Sequence, residues 1–189
     1  MIKNIAKLAY KPIKIAYVVG IDPDVEKNGV ALLDCEEKKI VRLWSLTFPE
    51  LLDFLHSIKR QAEVEEKNLR VIIEAGWLNK AHWHLTHKDT KQSAAAKGNA
   101  AGRNHETGRK IAEVCEHWQI PHELIKPLNL KVGGVHLWSG KDGKITHEEI
   151  VAITGISRSR TNQEERDATL IAWEWAGLPV KVVRKSTKK

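Results

Sequence analysis

The stretch "YVVGIDPDVEKNGVALLD" at 17–34 constrains the fold more than any other part of the chain. Two apolar runs rich in β-branched residues, 17–21 and 29–34, mark strands read over 13–21 and 28–34. The polar segment between them holds Pro23, Asp24 and Asn28 and reads as a turn. A strand–turn–strand of this kind sets Asp22 on a rigid element with its carboxylate at the rim. One acidic side chain does nothing alone, so the question is which other carboxylates meet it. "LRVIIEA" at 69–75 is nearly all apolar, the pattern of a central buried strand, and it ends in Glu74.

The remaining segments supply further elements. "KIVRLWSL" at 39–46 is a third strand, expected to place Val41, Leu43 and Ser45 on one face and to complete an antiparallel meander. Residues 47–67 read as a helix capped by Thr47, with a stripe of Leu51, Leu52, Leu55 and Ile58. The segment 76–104 is long, polar, small and basic, without a clean period. A helix over 105–118 follows, with Ile111, Val114, Cys115 and Trp118 on one side; "AAAKGNAAGR" would extend it backwards at the cost of two glycines. A strand at 120–127 leads to a glycine-punctuated loop. Thr146 and Glu149 form a capping box for a helix over 146–156. After the basic loop "SRSRTNQ", the last helix spans 163–178 and is closed by Gly177 and Pro179. The order is β-β-β-α-β-α-β-α-α, with no internal repeat.

The 189 residues suit a single domain, 1–189, with a basic loop at 76–104 and a basic tail at 181–189. The two cysteines, Cys35 and Cys115, form no CxxC pair and suggest neither a disulfide framework nor a thiolate metal site. The basic N-terminal segment is broken by Lys7, Lys11, Pro12 and Lys14 and reads as neither signal peptide nor membrane span, so a cytoplasmic protein is expected. A formal charge of +7 suits a polyanionic partner, and a plain solubility surplus accounts for the same number.

Asp22 and Glu74 each end an apolar strand, where functional groups of α/β sheets collect. Asp167 lies in the first turns of the last helix, on its apolar side, and Glu164 shares its face three residues earlier. Clustered carboxylates repel one another, and the natural compensator is a divalent cation. An all-oxygen donor set suits Mg²⁺ or Mn²⁺ rather than zinc. The dipole at a helix N-terminus also favours acids, which is the ordinary account of Glu164 and Glu165. "HWHLTH", with His82, His84 and His87, matches no standard zinc spacing, and phosphate contacts are its better use.

"VVGIDPDVEKNGVALLD", "VIIEAGW" and "NQEERDATLIAW", in that order, resemble the motifs of RuvC-type Holliday junction resolvases, members of the ribonuclease-H-like superfamily. Asp24 stands where the family has a glycine, and Glu164 where it has an aspartate. The resemblance implies a ribonuclease-H-like α/β fold: a mixed five-stranded sheet with helices on both faces. It implies Mg²⁺-dependent hydrolysis of DNA four-way junctions, with Mn²⁺ as a substitute, leaving a 5′-phosphate and a 3′-hydroxyl. Asp22 would bridge two ions, Glu74 and Asp167 would hold one each, and Glu164 would complete the shell. Trp77 falls where the family has an aromatic residue that helps open the junction centre. Lys131 and Lys144 fall in its lysine-bearing stretch, Lys131 as a catalytic residue that stabilises phosphate charge and Lys144 as a substrate contact. A homodimer on DNA is implied, with the helix at 105–118 and part of 94–104 in the interface.

Arg158 and Arg160 flank the last helix and read as phosphate contacts, and Lys97 and Arg103 sit among small residues that permit close approach to a backbone. Two rivals stand beside the resolvase reading. One is another nuclease of this fold, acting on RNA or other branched DNA. The other is a nucleic-acid-binding protein of the same fold that has lost catalysis.

Overall fold

The computed structural model describes residues 14–79, 89–128, 131–132 and 135–180, the side chains of 131 and 132 excepted. The hairpin at 17–34 forms as its pattern demands: β1 (Tyr17–Asp22) pairs antiparallel with β2 (Asn28–Asp34), Asp22 opposite Gly29. β2 in turn pairs with β3 (Lys39–Leu46). Helix α1 (Phe48–Val64) then crosses to β4 (Leu69–Glu74), which lies parallel to β1. Helix α2 (Lys91–His117) crosses to β5 (His122–Ile125), parallel to β4. The sheet order is β3-β2-β1-β4-β5, with β1 and β4 interior. This mixed five-stranded sheet flanked by helices is the ribonuclease-H-like fold. A short hairpin follows, β6 (Lys131–Val132) with β7 (Val135–His136), then α3 (His147–Thr154) and α4 (Gln163–Trp175).

Period-two alternation divides the core into two layers. Val19, Ile21, Val71 and Ile73 face α1 and α2, against Leu51, Leu55, Ile111 and Cys115. Val18, Ala31, Leu33 and Ile72 face the other way, against Ile150, Ala168, Ile171 and Ala172 of α3 and α4. β1 from Val18 to Ile21 and β4 from Val71 to Ile73 carry no polar side chain because both of their faces are covered. Among the described residues no helix is long and apolar enough to cross a membrane.

Four expectations require correction. Helix α2 starts at Lys91: the backward extension through 94–103 forms and runs three residues further, so the last fourteen residues of the expected loop 76–104 are helical. Thr90 caps it by accepting the Ser93 N–H, 3.1 Å, and Gly98 and Gly102 meet no neighbour within 4 Å. In β3 the register shifts opposite Leu32 and Leu33, leaving Val41 as an extra residue. Ile40 and Leu43, not Val41 with Leu43, therefore face the core. The strand expected at 120–127 is confined to His122–Ile125. The glycine-punctuated loop contains the β6–β7 hairpin.

Candidate active site

Asp22 and Glu74 meet because of strand parity. Gly20 pairs with Ile72 and Ile21 with Ile73. One step further, Asp22 and Glu74 end adjacent parallel strands on the face that Val18 and Ile72 share, the face covered by α4. Two glycines let α4 come down onto that face. A Cβ on Gly20 would stand 2.3 Å from the Ala168 carbonyl oxygen, and one on Gly29 would stand 2.0 Å from that of Glu164. Gly29 is the cross-strand partner of Asp22. The backbone of α4 thus lies on the two positions nearest Asp22, and this delivers Asp167 and Glu164 to it. Asn162 caps α4 by accepting the Glu165 N–H, 2.8 Å, and the Glu165 carboxylate returns to the Asn162 N–H, 3.0 Å.

The electrostatics register the convergence. Burial, and then the charges of Glu74, Asp167 and Glu164, push Asp22 well above the usual carboxylate range. Burial followed by the charge of Asp167 pushes Glu74 up to about 7, against a bond from the Leu128 N–H that pulls it down. Asp167 is raised by burial and held back by Lys144 and Gln163. Carboxylates from β1, β4 and α4 therefore share one poorly hydrated corner, each made harder to ionise by its surroundings.

A cation from the chain itself answers them. The Lys144 ammonium donates to Asp167 Oδ2 at 3.3 Å, and the Gln163 amide donates to Oδ1 at 2.7 Å. The positive charge of Lys144 also favours ionisation of Asp22 and Glu74. Lys144 is held by a tight loop in which its carbonyl accepts the Gly140 N–H, 3.0 Å, while the next residue, Ile145, is buried. The donor set fits a hard divalent ion in kind, being oxygen-only and anionic. Its present arrangement does not assemble one: among the described residues no group of three or more His, Cys, Asp or Glu side chains is placed to hold a metal ion. Both Asp167 oxygens are already engaged by Lys144 and Gln163.

A cleft of about 540 Å³ adjoins the centre and shares Glu164 with it. Its other walls come from the β1–β2 turn, from Arg103 and Asn104 of α2, from Ser45 and from Asn162. Asp24 closes this turn with its side chain: Oδ1 accepts the Glu26 N–H at 2.8 Å, and Oδ2 accepts the Asn104 amide at 2.9 Å. Asn104 Oδ1 takes the Val25 N–H, 3.1 Å, so one side chain clasps α2 to the turn beside Asp22. The motif comparison attached no role to Asn104, Gln163, Gly20 or Gly29. The Asn162-x-x-Glu165 capping box was the one local signal present.

The basic and aromatic candidates fall in different places. Arg103 lines the cleft. Lys97 lies on the exposed part of α2 and pairs with Asp89, 2.7 Å. Arg158 is spent on structure, donating to buried Glu165 at 3.0 Å and to the Leu43 carbonyl at 2.9 Å. Arg160 is exposed in the loop before α4. Trp77, in a single helical turn after β4, is half-buried against Gly108, where an added Cβ would stand 2.6 Å from the indole. The Arg109 guanidinium lies 5.1 Å from the Trp77 ring centroid. The Lys131 side chain and the residues His82, Trp83, His84 and His87 lie outside the described part of the structure.

No family model matches the chain, and no curated protein matches it in sequence. Among solved structures, the chain is similar to Thermus thermophilus RuvC in complex with Holliday junction substrate, at 15% identity and a TM-score of 0.45, over 82% of this chain and 89% of that one. It is also similar to another Thermus thermophilus RuvC structure, at 15% identity and a TM-score of 0.43, over 86% and 97% of the two chains. Likeness at this level leaves substrate and chemistry to the residues themselves.

Proposed function

We propose that the chain is a nuclease that hydrolyses phosphodiester bonds at the Asp22–Glu74–Asp167 corner. One observation carries this reading: three carboxylates from separate elements are packed into a shared, poorly hydrated corner against their own repulsion, at the edge of an open cleft. A fold gains nothing from such crowding by itself, and perturbed acids in a cleft mark a working site. Asp22, Glu74 and Asp167 would hold Mg²⁺ or Mn²⁺ once Asp167 is released from Lys144, with Glu164 beside them. A bound ion would supply Lewis-acid polarisation of the phosphodiester and an activated water.

The chain's own residues do the rest. Arg103 presents a guanidinium to a strand lying in the cleft. The Asn104 clasp fixes the cleft wall relative to Asp22. Lys144, once displaced from Asp167, carries its charge towards developing negative charge on the phosphate. The motif resemblance points to a DNA four-way junction as substrate and to a homodimer that matches its two-fold symmetry. RNA-containing and other branched substrates suit the same centre equally well.

The second reading is a nucleic-acid-binding protein without cleavage. It is favoured by the lack, among the described residues, of an assembled metal-holding group, and by Lys144 already neutralising Asp167. A gel assay separates the two, using a four-way junction, duplex, flap and RNA–DNA hybrid, each with Mg²⁺ and with EDTA. Cleavage of at least one substrate in Mg²⁺ only, abolished by Asp22→Asn, supports the nuclease. Retarded but uncut substrates throughout support the binding protein. Sedimentation of the protein alone and on the junction tests the dimer.

A further inference from the structure

We propose a second ligand site, for a phosphate-bearing nucleotide unit, between α1 and the C-terminal turn of α2. A cleft of about 290 Å³ opens there, lined by His56, Lys59 and Arg60 of α1 and by His117 and Trp118 at the end of α2. Positions 56, 59, 60 and 63 repeat at helical spacing, so one face of α1 carries the basic groups together. The one acid in the cleft, Glu63, is engaged by Lys59 at 2.9 Å. Arg60 is exposed and makes no ion pair or hydrogen bond among the described residues, leaving its fork of donors for a ligand. Trp118 is half-buried, with the His56 ring tilted against it at 5.7 Å between centroids.

This combination has a chemical reading. A guanidinium fork recognises phosphate in a bidentate manner, a nearby ammonium and two imidazoles add donors, and an indole offers a surface for a base. The volume suits roughly one nucleotide rather than a duplex. The site is distinct from the carboxylate corner. Gln119, on its rim, immediately precedes Ile120 and Pro121, and the Pro121 carbonyl accepts the Val71 N–H near the start of β4. Glu74 ends that same strand, so the two sites lie at opposite ends of the sheet, roughly 15–20 Å apart along it. The inference does not depend on the nuclease reading. The ligand chemistry can come from a free nucleotide or from the end of a nucleic-acid strand.

Titration calorimetry on the full chain in EDTA tests it with inorganic phosphate, thymidine monophosphate and a 5′-phosphorylated thymidine tetranucleotide. The expected result is one-to-one binding of a nucleotide probe, weakened at least about tenfold by Arg60→Glu, the loss expected for removing a charge-assisted fork. Trp118→Phe should weaken the nucleotide probes and leave phosphate unaffected. Lys39→Glu, on the edge strand β3 and in neither cleft, makes the same change of charge and should leave mononucleotide binding unchanged. Binding of the mononucleotide identifies a free-nucleotide site, and binding of the tetranucleotide alone identifies a strand end. Arg60 is exposed, so its variant should melt as wild type does, and Arg60→Ala provides a milder second variant. No binding of either nucleotide probe, or equal binding by wild type and both folded Arg60 variants, would overturn the proposal.

Discussion

Replacing Glu74 by Gln should stabilise the metal-free protein at about pH 8 and leave it unchanged near pH 4. Glu74 titrates at about 7 in the fold, against 4.5 for an ordinary glutamate, because burial and then the Asp167 charge oppose its ionisation. A folded-state value above the unfolded one means that the native protein holds this proton more tightly. The resulting stability is fully present below about 4.5 and is lost as pH rises through 7. Above that, the ionised carboxylate costs about 3 kcal/mol, at ~1.4 kcal/mol per tenfold in proton affinity. Gln keeps the shape and an oxygen for the Leu128 N–H, and it carries no charge. Urea denaturation of both proteins in EDTA at about pH 4, 6 and 8 measures the effect. The curves should coincide at the acid end and separate by about 3 kcal/mol at the alkaline end. Added Mg²⁺ should narrow the gap by stabilising wild type selectively. A variant less stable than wild type at about pH 8, or a difference that ignores pH, would refute the account of this corner.

Gly20→Ala should destabilise by about 3 kcal/mol, the upper end for overpacking, because its Cβ meets backbone oxygen of α4; thermal melting checks this. Lys144→Met removes the counter-ion and should cost on the order of 1 kcal/mol at about pH 8 and less as the pH falls and Asp167 takes up its proton, read by the same denaturation series. Arg158→Ala leaves buried Glu165 without its cation and should cost about 2 kcal/mol with unchanged nucleic-acid affinity in the folded fraction. A phosphate contact at Arg158 would show the opposite pattern. Trp77→Ala opens the contact with Gly108 and should lower stability by on the order of 2 kcal/mol. A single-turnover rate that falls while junction affinity holds would assign the indole to the opened substrate as well.

Much of the sheet was legible because burial leaves a periodic record. Asp22 and Glu74 were readable as strand ends because each follows an uninterrupted apolar run, and an uninterrupted run in a short strand means cover on both faces. The capping box of α3 was readable because Thr146 and Glu149 satisfy each other within one turn. The start of α2 was not. Its first turns are exposed, so no apolar period marks them, and Gly98 and Gly102 each weaken a helix by about 1 kcal/mol relative to Ala. Only the Thr90 cap signalled that start. Val41 misled because a bulge reverses the parity on which strand reading relies.

By itself the sequence determined the types of the principal elements and the placing of two carboxylates at strand ends, since these follow from patterns a few residues long. Tertiary structure decided what the carboxylates meet. The approach of α4 depends on Gly20 and Gly29 lying under its backbone, and their lack of a side chain matters only once that helix is in place. The Lys144 ammonium reaches Asp167 from 23 residues away in the chain, held by a loop with no period to read. Arg158, which reads as a surface cation, is committed to Glu165 because the capping box turns that carboxylate inward. Charge and close approach depend on distance in space, and local sequence patterns record only distance along the chain.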